Sequence, residues 1–257
     1  MAKRREGAEL HTIRPVEVEV GFQRLAEGSV LYRAGGTVVL ATASLDESVP
    51  DFLKGSGKGW VTAEYQMHPR SNPVRRERRD GRERPMGGRS REIERLIGRS
   101  LRAAVNLSKL GERSLVIDCD VLEADGGTRT ASITAGWIAL VLALDKVQKR
   151  DGKLGKGVLR DQVAAISAGH VHGDLALDLC YAEDSKARVD LNVVATANDA
   201  IVEIQGTAEG EAVPRSDVDQ LIDLALKGIH ELCSIQSQAL ARGGVSLEAW
   251  LGERPVS

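Results

Sequence analysis

Read for the spacing of apolar and polar positions, the chain opens with strands. Val16–Val20 alternates strictly, and Val30–Arg33 and Thr37–Ala43 carry β-formers on either side of Gly35-Gly36, a pattern that predicts a hairpin. Trp60–Tyr65 is a further expected strand. From His68 to Gly88 the apolar period disappears among Arg, Pro, Asn and Gly, which predicts a long loop of the kind that is functional or disordered. A helix is expected from about Ser90 to Leu107. Ile93, Leu96, Ile97, Leu101, Ala104 and Val105 recur at helical spacing there, and Arg91, Arg95, Arg99 and Arg102 form a separate stripe. One face should pack and the other should be basic, with Gly111 as a stop signal.

Ser114–Val121 reads as a strand, and Asp125-Gly126-Gly127-Thr128-Arg129 as a turn before a second helix from about Ser132 to Gln148. That helix is apolar nearly all round and should be buried. Strands follow at Gln162–Ala168 and Leu175–Tyr181. Val189–Thr196 and Ala200–Gln205 are joined through a tight turn at Asn198-Asp199. A last helix opens at Pro214, with Ser216 or Asp217 as its N-cap, and runs to about Ala241. The order of strands, two helices, strands and one helix predicts an α+β layered fold rather than a doubly wound parallel sheet. No internal repeat or linker interrupts it, so a single domain over 1–242 is expected, with a loose C-terminal tail at 243–257.

Composition narrows the function classes. Aromatics are only 3%, so the core should be aliphatic and base-stacking platforms are not expected. The basic N-terminus has no apolar stretch behind it, and the apolar run at Ile133–Leu144 is too short to span a bilayer, so no membrane is expected. Cys119, Cys180 and Cys233 are an odd count without paired spacing, which suits buried reduced thiols in a cytoplasmic protein. The net charge of −2 hides a polarity: Arg70 to Arg102 holds twelve Arg, no Lys and five acids, a local +7 on a body of −9. Such a patch suggests a polyanionic partner, and arginine grips phosphate oxygens two at a time.

Three segments can carry chemistry. Gly126-Gly127 before a helix start lets backbone approach a ligand, and Thr128, Arg129, Thr130 and Ser132 add donors, making an anion cradle. The other reading is a glycine turn that caps a buried helix. Gly87-Gly88-Arg89 repeats the theme at the other helix, where a solvated basic face is the alternative. Asp184 and Asp190 flank a short polar connection and could share Mg²⁺ at a hairpin mouth, or be turn aspartates. His170 and His172 share a face if extended, as do Asp118 and Asp120, without an assignable role. No nucleophile elbow, P-loop or dinucleotide fingerprint is present.

The blocks Gly59–Tyr65, Gly87-Gly88-Arg89, Glu92–Arg99, Asp118–Ser132, Glu183-Asp184, Asp190 and Gln205–Glu211, in that order, resemble ribonuclease PH. The resemblance implies a fold like the second domain of ribosomal protein S5, a β-α-β sandwich, assembled as a homohexamer built as a trimer of dimers. It implies phosphorolysis: RNA plus orthophosphate gives RNA shorter by one nucleotide from its 3′ end, commonly precursor tRNA, and a nucleoside diphosphate. Carried over residue by residue, it places phosphate at Arg89, Gly127, Thr128 and Arg129, and a metal, Mg²⁺, at Asp184 and Asp190. Arg129 and the two aspartates are the implied catalytic groups, with Arg95 and Arg99 near the RNA path. Arg75 and Arg76, in a loop richer in arginine than the family pattern, are candidate contacts to the tRNA body. A catalytically silent RNA-binding ring subunit of an exosome-like assembly is the alternative.

Overall fold

The computed structural model describes residues 10–72, 76 and 87–252. The first sheet contains β1 (Val16–Val20), β2 (Gly28–Ala34), β3 (Thr37–Asp46), β4 (Trp60–Met67) and β5 (Ser114–Glu123), in the order β1-β2-β3-β5-β4. All neighbours are antiparallel except β4 and β5, which run parallel. A parallel pair needs a crossover, and α1 (Gly88–Ala104) with the short α2 (Leu107–Leu110) supplies it. The second sheet has β6 (Val163–Val171), β7 (Asp174–Leu177), β8 (Val189–Thr196) and β9 (Ile201–Ala208), in the order β7-β6-β8-β9 and fully antiparallel.

Between the sheets lies α3 (Thr128–Asp151), which packs on β2, β3 and β6. Its fifteen buried residues include Trp137, Ile138, Leu140 and Val141. By length and composition it is apolar enough to cross a membrane, yet it is the central core helix. The strand period sorts the second sheet cleanly. Val163 and Ala165 join the large core around α3, whereas Ala164, Ile166 and Ala168 join a separate cluster under α5 (Arg215–Arg242). A polar clamp ties the layers. Gln236, fully buried on α5, donates to the carbonyls of Thr134 (3.1 Å) and Val163 (3.0 Å) and accepts from Gln162 (3.0 Å).

The α+β layering expected from element order is what the structure shows, with five local corrections. Leu175–Tyr181 is not one strand: β7 stops at Leu177, Asp178 adopts a left-handed φ of 54°, and α4 (Tyr181–Asp184) follows. The helix expected from Ser132 begins at Thr128, and the N-cap of α5 is Pro214 rather than Ser216 or Asp217. His172 leaves the strand with φ 54° in the turn after β6, so it shares no strand face with His170. Residues 243–252 are packed rather than loose, because Trp250 is 3% exposed and its carbonyl accepts from Gly157 (2.8 Å) and Leu159 (3.2 Å).

Candidate active site

The site is built from two helix starts and one sheet face. Gly126 and Gly127 carry φ of 79° and 62°, a region costly for residues with a Cβ. A Cβ at Gly126 would also run into the carbonyl of Leu179, so the loop lies directly on the strand-to-α4 connection. Gly127 is the N-cap of α3; no side chain caps the helix and no acid sits in its first turn. The first-turn N–H groups and the dipole are therefore left to an anion. The N-cap of α1 is Gly87, again without a side-chain cap, and Arg89 is its second residue.

Thr128 and Arg129 open α3. The hydroxyl of the buried Tyr65, on β4, donates to Thr128 Oγ1 (2.9 Å). Thr128 acts as acceptor in that bond, which leaves its own proton for a ligand. Thr130 and Ser132 do not join the cradle: both hydroxyls turn back on their own helix, to the carbonyls of Gly127 (2.9 Å) and Thr128 (2.8 Å). Arg129 Nη1 donates to Gln205 Oε1 (2.9 Å) and lies 3.7 Å from Glu92, so the guanidinium is braced between α1 and β9.

The carboxylates enter from the second sheet. Asp190 is the second residue of β8, paired with Thr207, and Asn192 is paired with Gln205. Cross-strand partners share a face, and this is the face of Val194, which belongs to the core around α3. Asp184 ends α4 instead of flanking a hairpin, because β7 and β8 are separated by β6. Burial, and then the Asp184 charge, push the Asp190 carboxyl up to about 6 against the positive fields of Arg129 and Arg89 and an Asn192 hydrogen bond. Asp184 is also raised by burial, with Arg89 and Arg129 opposing. Burial likewise raises the Tyr65 hydroxyl, against its Thr128 bond and the same two arginines. The charges of Arg89 and Arg129 thus act on both aspartates and on Tyr65, so these five side chains lie within electrostatic range of one another.

The fit to a divalent cation follows from that charge pattern. Two carboxylates held against each other in partial burial gain from a cation. Magnesium takes one or two carboxylates and completes its shell with phosphate oxygens and water. Among the described residues no group of three or more His, Cys, Asp or Glu gathers as a metal cage, so the pair suits magnesium shared with a ligand rather than a structural metal.

The basic stripe on α1 divides by role. Arg91 and Arg95 are exposed. Arg99 pairs with Glu203 on β9 at 2.9 Å. Arg102 lies 4.3 Å over the Trp60 ring and donates to the Val61 carbonyl (2.7 Å), so it holds α1 on β4. Arg76 is exposed, and Arg75 lies outside the described residues. Tyr65, Gln205, Glu92 and Asn192 were not singled out by sequence reasoning. The first three fall inside the resembling blocks, but only the fold shows what they touch.

Two models of the 3′ exoribonuclease family match the chain, domain 1 over residues 12–144 and domain 2 over residues 161–228. These correspond to the two sheets, and α3 packs against both. The chain is 52% identical over 240 residues to ribonuclease PH of Crocosphaera subtropica, covering 93% of this chain and 98% of that one. It is 51% identical over 238 residues to ribonuclease PH of Roseobacter denitrificans, covering 93% and 100%. Among solved structures, rice Rrp46 superposes with a TM-score of 0.74 at 18% identity, over 92% of this chain and 100% of that one. The Archaeoglobus fulgidus exosome with RNA bound to the active site superposes with a TM-score of 0.73 at 23% identity, over 91% and 92%. The chain belongs to the 3′ exoribonuclease family and, within it, to the ribonuclease PH type.

Proposed function

We propose that the protein shortens RNA from its 3′ end by phosphorolysis, with orthophosphate held by Arg89, Gly127, Thr128 and Arg129 and with Asp184 and Asp190 facing it. One observation carries this reading: two helix N-termini, each with an arginine in its first turn, converge on a carboxylate pair that both arginines influence. Fixed positive groups around a tetrahedral anion stabilise most strongly the charge that develops on phosphoryl oxygens during transfer.

In this reading an oxygen of the bound phosphate attacks the phosphorus of the terminal linkage in line. The bond to the 3′-oxygen breaks, a nucleoside diphosphate forms, and the shortened RNA needs a proton on its new 3′-hydroxyl. Asp190, whose carboxyl keeps a proton to about pH 6, is the residue suited to give it. Arg129, braced by Gln205, stays aimed while charge shifts. Mg²⁺ held by Asp184 and Asp190 would instead require both carboxylates ionised; it would neutralise phosphoryl charge in place of the acid role of Asp190.

The substrate is the 3′ end of precursor tRNA or other RNA. Exposed Arg91 and Arg95, with Arg99 beside them and Arg75 and Arg76 in the arginine-rich segment, fit a polyanion longer than the catalytic site. The assembly is a homohexamer, a trimer of dimers, in the cytoplasm, in keeping with three free buried cysteines. The deciding experiment supplies purified protein, Mg²⁺ and a 3′-extended tRNA, with and without orthophosphate. Nucleoside diphosphates only when phosphate is present are expected, whereas monophosphates without phosphate would replace this mechanism with hydrolysis. RNA bound without any product would favour the silent ring subunit. Arg129→Ala is expected to abolish turnover with the fold retained, checked by initial rates at limiting phosphate and by circular dichroism.

A further inference from the structure

Beneath the anion loop lies a buried ion pair that the proposed chemistry does not use. Arg14, just before β1, and Asp178, just after β7, meet at 2.7 Å with side chains 5% and 9% exposed. The Arg14 backbone N–H donates to the other Asp178 oxygen at 2.8 Å, so both carboxylate oxygens are engaged. The Arg14 guanidinium also donates to the Asp125 carbonyl (2.7 Å), and its Nη2 lies 3.5 Å from the Gly126 carbonyl. Thr37 donates to the same Gly126 carbonyl (2.6 Å) and accepts from the Asp125 N–H (2.9 Å). The Asp125 side chain in turn accepts from the N–H of Tyr181, the first residue of the helix that ends in Asp184 (3.3 Å).

This arrangement has a direct geometric consequence. In a trans peptide the carbonyl and the following N–H point in opposite directions. Fixing the carbonyls of Asp125 and Gly126 on Arg14 and Thr37 turns the N–H groups of Gly126 and Gly127 away from the buried pair. The loop therefore presents donors instead of acceptors. The pair also bridges the two halves of the chain: Arg14, Thr37 and Asp125 belong to the first family domain, Asp178 and Tyr181 to the second. The arginines of the site come from one half and its carboxylates from the other. Buried ion pairs add little net stability over apolar replacements, and their best-attested use is to fix a register.

We propose that Arg14 and Asp178 are positioning residues that set the anion loop against the Asp184 turn, and so govern affinity for orthophosphate. This rests on the phosphate-site reading above. The test compares the wild type, Asp178→Asn, the double variant Arg14→Met with Asp178→Asn, and Arg129→Ala, all as full chains. The double variant removes both charges of the pair, and asparagine tolerates the left-handed backbone at 178. Three quantities are read: KM for inorganic phosphate, KM for a short RNA, and the thermal shift produced by inorganic phosphate alone.

Both Asp178 variants are expected to raise the phosphate KM by at least about 10-fold and to need correspondingly more phosphate for the same thermal shift. RNA KM should change less than about twofold, because the α1 stripe is untouched. A folded double variant with wild-type phosphate KM and thermal shift would overturn the inference, as would equal rises in both KM values. If Arg129→Ala keeps the wild-type thermal shift with inorganic phosphate, the phosphate-site reading fails and the inference falls with it. If Arg129→Ala loses phosphate affinity and the Asp178 variants do not, only the positioning role is lost.

Discussion

Tyr65 shows how one buried side chain joins the core to the chemistry. Its ring fills the first-sheet core, while its hydroxyl supports Thr128 at the start of α3. Tyr65→Phe keeps the packing and removes that bond, so urea denaturation should show a loss of about 0.5–1.5 kcal/mol. The phosphate KM should rise roughly fivefold as the Thr128 hydroxyl loses its fixed orientation. An unchanged KM would confine Tyr65 to packing. Asp190 gives a prediction of the opposite sign. Its folded-state carboxyl titrates at about 6, above the ordinary value of 3.8, so the native state holds a proton that the unfolded chain has released. Stability therefore falls as pH rises from about 4 to 6 and stays reduced above that. Asp190→Asn should abolish turnover yet stabilise the fold by about 1–2 kcal/mol at pH 8, allowing for solvent screening, with the gain shrinking toward zero by pH 4. Urea midpoints of both proteins across that range check it, and a gain independent of pH would place the effect outside the Asp190 charge. At this scale the sequence shows which residue types can bind an anion, but not which of them are free. Thr128, Thr130 and Ser132 look equivalent in the chain, and only the helix beginning at Thr128 bends the last two back on the carbonyls of Gly127 and Thr128.

Elements with a strong period were legible, and those set by local hydrogen bonding were not. The aliphatic rhythm of α1 and α3 and the alternation of β1 and β8 follow from burying one face or all faces, a demand written along the sequence. The stretch Leu175–Tyr181 also carries strand-forming residues. There the left-handed turn at Asp178 and the box in which Glu183 accepts from the Cys180 N–H (3.0 Å) outweigh propensity and start α4. That switch moves Asp184 from a presumed hairpin to a helix end facing Arg89 and Arg129. The Gln236 clamp is similarly silent in sequence, since a polar residue on an amphipathic helix reads as surface. Fully buried, Gln236 serves α3 through Thr134 and β6 through Val163, and it accepts from Gln162. Gln236→Leu should cost about 2–4 kcal/mol by leaving those groups unpaired, measured as a shift in urea midpoint. Because the clamp lies away from the anion loop, KM for phosphate and RNA should stay near wild type; a selective loss of phosphate affinity would instead couple α5 to the site.

At the scale of the whole molecule the question is how a body with net charge −2 holds a polyanion. The segment Arg70–Arg102 concentrates +7 and leaves −9 elsewhere, so RNA is drawn to one region and repelled from the rest. Within that region the structure separates local from distant work. The charge of Arg89 acts on the carboxylates, Arg102 is committed to Trp60, and Arg91, Arg95 and Arg76 are exposed. Arg75 and its neighbours were assigned from charge alone, and that argument makes a sharp distinction between substrates. A short oligonucleotide engages only the groups near the 3′ end, whereas a tRNA carries a folded body whose phosphates extend beyond them. Replacing Arg75 and Arg76 by Ala should weaken trimming of a 3′-extended tRNA while a short oligonucleotide is degraded at near wild-type rates. Each lost phosphate contact should also lower the salt dependence of tRNA binding by roughly one unit of slope. Rates on both substrates, with tRNA affinity measured over a series of salt concentrations, test this together. A fall shared equally by the two substrates would move these arginines into the catalytic neighbourhood. A tRNA defect without a change in salt slope would mean that they do not act by touching phosphate.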